Sequence, residues 1–217
     1  MEKLHRRLDV RTPIMYRYHY GKRIFDIVSS LLLLICLLPL LILLSIAIIL
    51  FSGRPVFFAQ SRTGIDNKPF TIFKFRTMKA TKQADSRHQY EWQEGVPDNF
   101  LFKTADDVAV TAIGKILRKY SLDELPQLLN VLIGNMSIVG PRPEIPEITN
   151  LYSNQQAKRL LVKPGITGYA QVNGRSEINH GKKIAYDLYY VNNRSLLLDF
   201  KIIRATIVTV IKGKGAY

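Results

Sequence analysis

The sequence predicts an α/β protein that is mostly helical with a small β-hairpin. An N-terminal re-entrant membrane helix, broken near its middle, precedes a compact cytosolic domain with interfacial amphipathic helices. Three observations predict this plan. Ile24 to Phe51 is almost wholly apolar, with Asp26 its only charge, and exceeds the ~20 residues that cross a bilayer as one helix. Pro39 interrupts that segment, and basic residues flank it on both sides. From Gly53 onward, polar and apolar residues mix in the periodicities of short strands and amphipathic helices.

Residues 1–23 form a basic cytoplasmic or interfacial segment. Lys3, Arg6, Arg7, Arg11, Arg17, Lys22 and Arg23 stand against Glu2 and Asp9, with Tyr16, Tyr18 and Tyr20 among the later cations. That mixture suits the headgroup region of an anionic leaflet. No A-x-A-like cleavage site ends the apolar run, so it reads as part of the mature protein rather than a signal peptide.

Residues 24–52 form the membrane segment. Pro39 lacks an amide hydrogen and clashes with the carbonyl of Ile35, so it breaks or kinks a helix there. Arg54, Arg62, Lys68, Lys74, Arg76 and Lys79 follow the segment, which places both of its ends on the cytoplasmic side. A helix that dips into one leaflet and returns satisfies both observations. The alternative is a tilted, proline-kinked spanning helix.

Residues 53–217 form the cytosolic domain. Val56–Arg62 and Phe70–Met78 read as two strands around a turn containing Gly64, Asp66, Asn67 and Pro69. In the second strand Lys74 and Arg76 share one face, opposite Phe73 and Phe75, and could meet one anion or simply face water. Residues 80–105 are mostly polar, with isolated Trp92 and Gly95-Val96-Pro97, and suggest a long loop or lid. Thr111–Tyr120 is a helical pattern with Ile113, Ile116 and Leu117 inward and Lys115, Arg118 and Lys119 outward.

Ser121-Leu122-Asp123-Glu124-Leu125-Pro126-Gln127-Leu128 then sets two carboxylates side by side. Arg118 lies just upstream, and Gly140-Pro141-Arg142-Pro143 holds a guanidinium between two prolines downstream. Paired acids near fixed cations suit phosphoryl chemistry, with one carboxylate to attack, one to hold a metal and arginines on phosphate oxygens. A structural reading competes with it. Ser121-x-x-Glu124 fits a capping box, or a helix starts at Asp123 with Leu125, Leu128, Leu129 and Leu132 on one face. The prolines restrict the backbone around Arg142, a rigidity that an ordinary loop does not need.

Pro164-Gly165-Ile166-Thr167-Gly168 is a turn cluster, with Gly174-Arg175 beyond it. Leu196–Lys212 reads as an amphipathic helix with Lys201, Arg204, Thr209 and Lys212 on one face, lying in the membrane interface or against a core. The net charge of +14 points to anionic partners. The single cysteine, Cys36, rules out a disulfide framework, and the four histidines are too scattered for a metal site.

Lys22-Arg23-x-Phe25-Asp26, Lys74-Phe75-Arg76-Thr77-Met78, the Ser121–Leu128 stretch, Gly140–Pro143 and Pro164–Gly168 occur in that order. Together they resemble the bacterial sugar transferase family, the monotopic polyprenyl-phosphate phosphoglycosyl transferases, in its short form. The resemblance implies transfer of a sugar 1-phosphate from a UDP-sugar to undecaprenyl phosphate, with release of UMP, at the start of surface-glycan assembly. It places the nucleophile on Asp123 and a Mg²⁺-linked carboxylate on Glu124. Phosphate-binding cations fall on Arg118 and Arg142, with Lys74 and Arg76 near the site. It also implies a re-entrant helix broken at Pro39, membrane phospholipids as partners, and the cytoplasmic face of the bacterial inner membrane as location. The oligomeric state, a homodimer included, stays open.

The chain departs from the family pattern at Leu38, where Ser is frequent, and at Asn135, where Asp is usual. Asp107-Val108-Ala109, Tyr169 and Arg194 also differ, and Asn135 puts any further carboxylate role in doubt. Two other classes compete. A nucleic-acid binder accounts for the charge but lacks a binding motif or stacking platform, so nucleic acid is not an expected partner. A non-catalytic membrane scaffold accounts for the anchor and leaves the acid pair unexplained.

Overall fold

The computed structural model describes residues 13–79, 92, 95–101, 110–174 and 177–212, with side chains from residue 18 onward. Its first element, α1, runs from Pro13 to Ser52 with Pro39 inside it. The helix therefore starts within the predicted basic segment rather than at Ile24. Tyr18–Ser52 is long and apolar enough to cross a membrane. Ile35, Leu38, Ile42, Leu43 and Leu50 are all more than half exposed, so this apolar surface is not spent on a protein core.

Each half of α1 instead lends a few polar or apolar groups to the domain. Near the first end, Asp26 accepts hydrogen bonds from Ser137 Oγ and the Ile138 amide, both at 3.0 Å. Arg23 donates to the carbonyls of Val131 and Leu132, and Lys22 pairs with Asp199 at 2.9 Å. Near the other end, Ile48 is buried against Phe75 and Leu117, with Leu41, Leu44 and Leu122 alongside. A straight helix would hold Arg23 and Ile48 about 37 Å apart.

The predicted hairpin forms. β1 (Phe57–Thr63) and β2 (Pro69–Phe75) pair antiparallel, with Phe57 opposite Phe75 and Thr63 opposite Pro69. Asp66 and Asn67 take positive φ in the connection, a conformation their short polar side chains tolerate. The alternation of β2 sends Phe75 into the cluster with Ile48 and Ile72 into a second one with Val131 and Met136. Arg76 falls one residue beyond the strand.

Helix α2 (Ala112–Lys119) starts at Thr111, whose hydroxyl accepts from the Gly114 amide, a standard N-cap. Leu117 is buried as expected, whereas Ile116 is 56% exposed. After a short 3₁₀ turn comes α3 (Gln127–Ile133), ended by Gly134 at φ 105°. Because α3 begins later than the sequence suggests, its buried face is Gln127, Leu128, Asn130 and Val131, and Leu129 turns outward. Asn130 is the linchpin of this packing. Its side chain accepts from the Phe73 amide at 3.1 Å and donates to the Thr71 carbonyl at 2.7 Å. One amide thus covers the free edge of the hairpin and fixes α3 against it.

β3 (Ser137–Val139) and β4 (Gly165–Thr167) form a parallel pair. A Cβ on Gly165 would lie 2.1 Å from the Gly140 amide nitrogen, and one on Gly140 would lie 2.3 Å from the Lys163 carbonyl. These glycines serve the close approach of one backbone to another, rather than a turn or a ligand. Short helices α4 (Pro146–Thr149) and α5 (Tyr169–Val172) lead to α6 (His180–Asn193) and α7 (Leu196–Lys212). α6 has no counterpart in the sequence reading. α7 buries Asp199 and Ile202, leaving Leu197, Phe200, Ile207 and Ile211 mostly exposed, and Phe200 meets Phe25 of α1 edge-on.

The polar stretch around residues 80–105 lies largely outside the described residues. Its 95–101 portion is packed: Val96 is buried with Ile145 and Ile148, and Trp92 and Phe100 lie against that cluster.

Candidate active site

Asp123 and Glu124 lie in the 3₁₀ turn Leu122–Glu124 between α2 and α3. Ser121 enters the turn at φ 54°, in the left-handed region. A capping serine needs an extended backbone, so the capping box does not form, and a helix does not start at Asp123. Pro126 instead precedes α3, where its missing amide costs nothing. Leu122 anchors the turn against Ile48, Phe75 and Leu117, which seats the carboxylates beside the second half of α1.

Two distant parts of the chain converge on Glu124. Lys74 Nζ of β2 donates to its Oε1 at 2.9 Å, and Arg142 Nη2 donates to the same oxygen at 2.8 Å. Lys74 reaches it because Asn130 holds α3 on the edge of β2. Arg142 reaches it from the Pro141–Pro143 loop that follows β3. Arg118 is oriented by Thr77, whose hydroxyl accepts from its Nε at 3.0 Å, and its charge bears on Asp123. Arg76 does not join them. Its guanidinium donates to the carbonyls of Ser52 and Gly53, and so closes the C-terminus of α1.

Burial pulls against charge here, and the two acids diverge. Burial alone would raise the Glu124 carboxyl, but Arg142 and Lys74 outweigh it and hold it well below the usual range. The Asp123 carboxyl is pushed up to about 6, by burial first and then by the adjacent Glu124 charge, with Lys74, Arg142 and Arg118 opposing. A pair of acids separated in this way can divide its work. Glu124 stays an ionised hub for cations, and Asp123 keeps a more basic carboxylate.

The loop bearing Arg142 rests on residues that the sequence reading missed. Arg159 is 1% exposed, and its Nη2 donates to the Arg142 carbonyl at 2.8 Å. The same guanidinium pairs with Asp187 of α6 at 2.6 Å and donates to the Tyr152 hydroxyl at 2.9 Å. Beside it, Lys183 donates to the Glu144 carboxylate. Lys183 and Arg159 overcome burial and hold Glu144 down to about 2. Arg62 was also read only as part of a basic flank. It lies in the same cleft as Lys74 and Arg142, with its Nη2 on Gln60 Oε1 at 2.8 Å. No local pattern marks Arg159 or Lys183, since Asp187, the Arg142 carbonyl and Glu144, which they hold, stand 17 to 39 positions away.

Among the described residues, no group of three or more Asp, Glu, His or Cys side chains could hold a metal. The donor set fits only a hard cation that takes one or two carboxylates here and completes its shell with substrate phosphates and water, as Mg²⁺ does.

A family model described as bacterial sugar transferase matches residues 17–213. The chain is 46% identical over 195 residues to the sugar transferase EpsL of Bacillus subtilis, covering 89% of each chain. It is 37% identical to the exopolysaccharide production protein ExoY of Sinorhizobium fredii, over 91% of this chain and 88% of that one. It is 41% identical to the UDP-glucose:undecaprenyl-phosphate glucose-1-phosphate transferase of Klebsiella pneumoniae, over 90% of this chain and 41% of that longer one.

Proposed function

The chain belongs to the bacterial sugar transferase family, and from that premise we propose that it moves a sugar 1-phosphate from a UDP-sugar to undecaprenyl phosphate, releasing UMP. The observation that carries this reading is the divided acid pair: Lys74 and Arg142 meet on Glu124 and hold it ionised, while the adjacent Asp123 carboxyl is raised. The product would start an exopolysaccharide, a capsule, an O-antigen or a glycoprotein glycan.

The chemistry runs in two displacements. Arg142, Lys74 and Arg118 bind phosphate oxygens of the donor and offset charge as the sugar-linked phosphorus is attacked. An Asp123 carboxylate oxygen forms a bond to that phosphorus, and the bond to the UMP oxygen breaks. Asp123 then carries the phosphosugar as an acyl phosphate. An oxygen of the lipid phosphate attacks the same phosphorus, the Asp123 bond breaks, and the carboxylate is regenerated. A water-soluble donor and a membrane-embedded acceptor thereby use one site in turn. Mg²⁺, held by Glu124 with substrate phosphates, would supply Lewis-acid polarisation of the phosphoryl oxygens.

The exposed apolar surface supports a membrane location for this chemistry. α1 dips into the cytoplasmic leaflet of the inner membrane, bends at Pro39 and returns, with α7 lying in the interface among phospholipids. The docking of both halves of α1 on one domain supports this reading, as does the exposed apolar face of α7. Asp123 then sits at headgroup height, where the polyprenyl phosphate resides.

The test uses purified protein and donors labelled in the sugar-linked phosphate, drawn from a panel that includes UDP-glucose. Without lipid acceptor, the wild type should retain label and Asp123→Asn should not, because an amide cannot form the acyl phosphate. Labelled Asp123→Asn, or UMP release that requires both substrates bound, would move the chemistry to direct attack by the lipid.

A further inference from the structure

Gln127 is 2% exposed, yet its Nε2 has no hydrogen-bond partner among the described residues. Leaving a buried amide donor unmade is costly, and native proteins keep few such groups. Gln127 is not a packing accident at a helix end far from the chemistry. It stands at the first position of α3, just past the 3₁₀ turn that carries Asp123 and Glu124. With Arg62, Ile72, Lys74, Arg142 and Pro143 it lines the cleft beside the Glu124 ion pairs. Its neighbour Asn130, equally buried, has both side-chain atoms satisfied by the β2 backbone. One of these two amides holds the fold together, and the other is left with an unused donor.

The charged groups on the cleft wall are two guanidinium groups and one ammonium, and the unused group of Gln127 is its amide donor. Such a wall selects an occupant rich in acceptor oxygens and negative charge. We infer that Gln127 is a substrate-contacting residue, whose amide donates to a phosphate oxygen of the nucleotide donor. The inference rests on the transferase reading above and adds a specific ligand contact to it. A neutral donor has a role there that a further cation lacks. It fixes an oxygen by direction without deepening the pull on Glu124, so the acid pair keeps its division of charge.

The test compares wild type, Gln127→Met and Gln127→Glu, with UDP as probe and full-length protein in detergent. Met keeps the length and removes the unused donor, so the unliganded variant should melt no lower than wild type. Its affinity for UDP should fall roughly ten- to a hundredfold, as expected when one hydrogen bond to a charged group is lost. Glu keeps the shape but replaces the donor with an anion facing phosphate, so it should bind more weakly than Met. A packing role predicts the reverse order, because Glu is the closer isostere. UDP binding by the Met variant equal to wild type would overturn the inference. So would a Glu variant that binds as well as the Met variant. If wild type itself neither binds UDP nor releases UMP from any donor, the transferase reading fails and this contact falls with it. If wild type does both and only the ordering fails, the loss is confined to Gln127.

Discussion

Arg142 Nη2 and Glu124 Oε1 lie 2.8 Å apart, although 18 residues separate them in the chain. The same oxygen also receives Lys74 Nζ at 2.9 Å, so one carboxylate oxygen organises two cations. The two cations are not equivalent. The Arg142 side chain is 41% exposed, whereas Lys74 is 16% exposed, so Arg142 is the one an incoming phosphate meets. A guanidinium can hold Glu124 with one nitrogen and offer its remaining donors to the ligand, which an ammonium cannot do in the same plane.

Arg142→Lys should therefore lower UMP release on the order of tenfold or more while the protein remains folded. Steady-state kinetics alongside a melting curve check it. Near-normal turnover would show that a diffuse positive field is enough.

Topology gives a second expectation. Tyr20 and Arg54 lie on the same, cytoplasmic side if α1 re-enters. Single cysteines at these positions, in a Cys36→Ser background, should both resist an impermeant thiol reagent added to intact cells. Labelling at one of the two positions alone identifies a spanning helix.

Asp26 is 2% exposed and satisfies both the Ser137 hydroxyl and the Ile138 amide. Asp26→Ala leaves two buried donors without an acceptor, a loss of about 2–5 kcal/mol. Asp26→Asn keeps one acceptor oxygen and should lose less. Denaturant unfolding in detergent distinguishes the two variants, and an Ala variant as stable as wild type would remove Asp26 as the tie between α1 and β3.

Glu144 gives the pH dependence. Its carboxyl lies at about 2 in the folded protein, below the ordinary 4.5, because Lys183 and Arg159 outweigh its burial. A depressed acid contributes stability above its unfolded pKa and loses it as pH falls through the folded one. Between pH 4.5 and 2 the wild type should therefore lose more stability than Glu144→Gln. Denaturant midpoints at several pH values measure this, and parallel acid limbs for the two proteins would contradict it.

How much of this was legible beforehand depends on the range of each interaction. The hairpin around Ile65–Asn67, the helix after Thr111 and α7 are local patterns, and each appears close to where the sequence places it, whereas α1 starts eleven residues before Ile24. The acid pair and Arg142 were legible as candidates, because adjacent carboxylates and a proline-flanked arginine are themselves short motifs. Their assembly was not. Lys74 and Glu124 are 50 residues apart, and they meet only because the Asn130 amide pins α3 to the edge of β2.

Arg76 shows the converse. Strand alternation placed it with Lys74, but the strand ends at Phe75, and the nearby carbonyls of Ser52 and Gly53 take its guanidinium. The buried Arg159–Asp187 pair beneath Arg142 likewise carries no local signature, because a charged residue in a helical pattern reads as solvent-facing. By itself the sequence determined which groups are available for chemistry, since residue type and near-neighbour spacing suffice for that. Only the tertiary structure decided which of them share a site, because ion pairs and edge contacts between distant segments exist only once the core has packed.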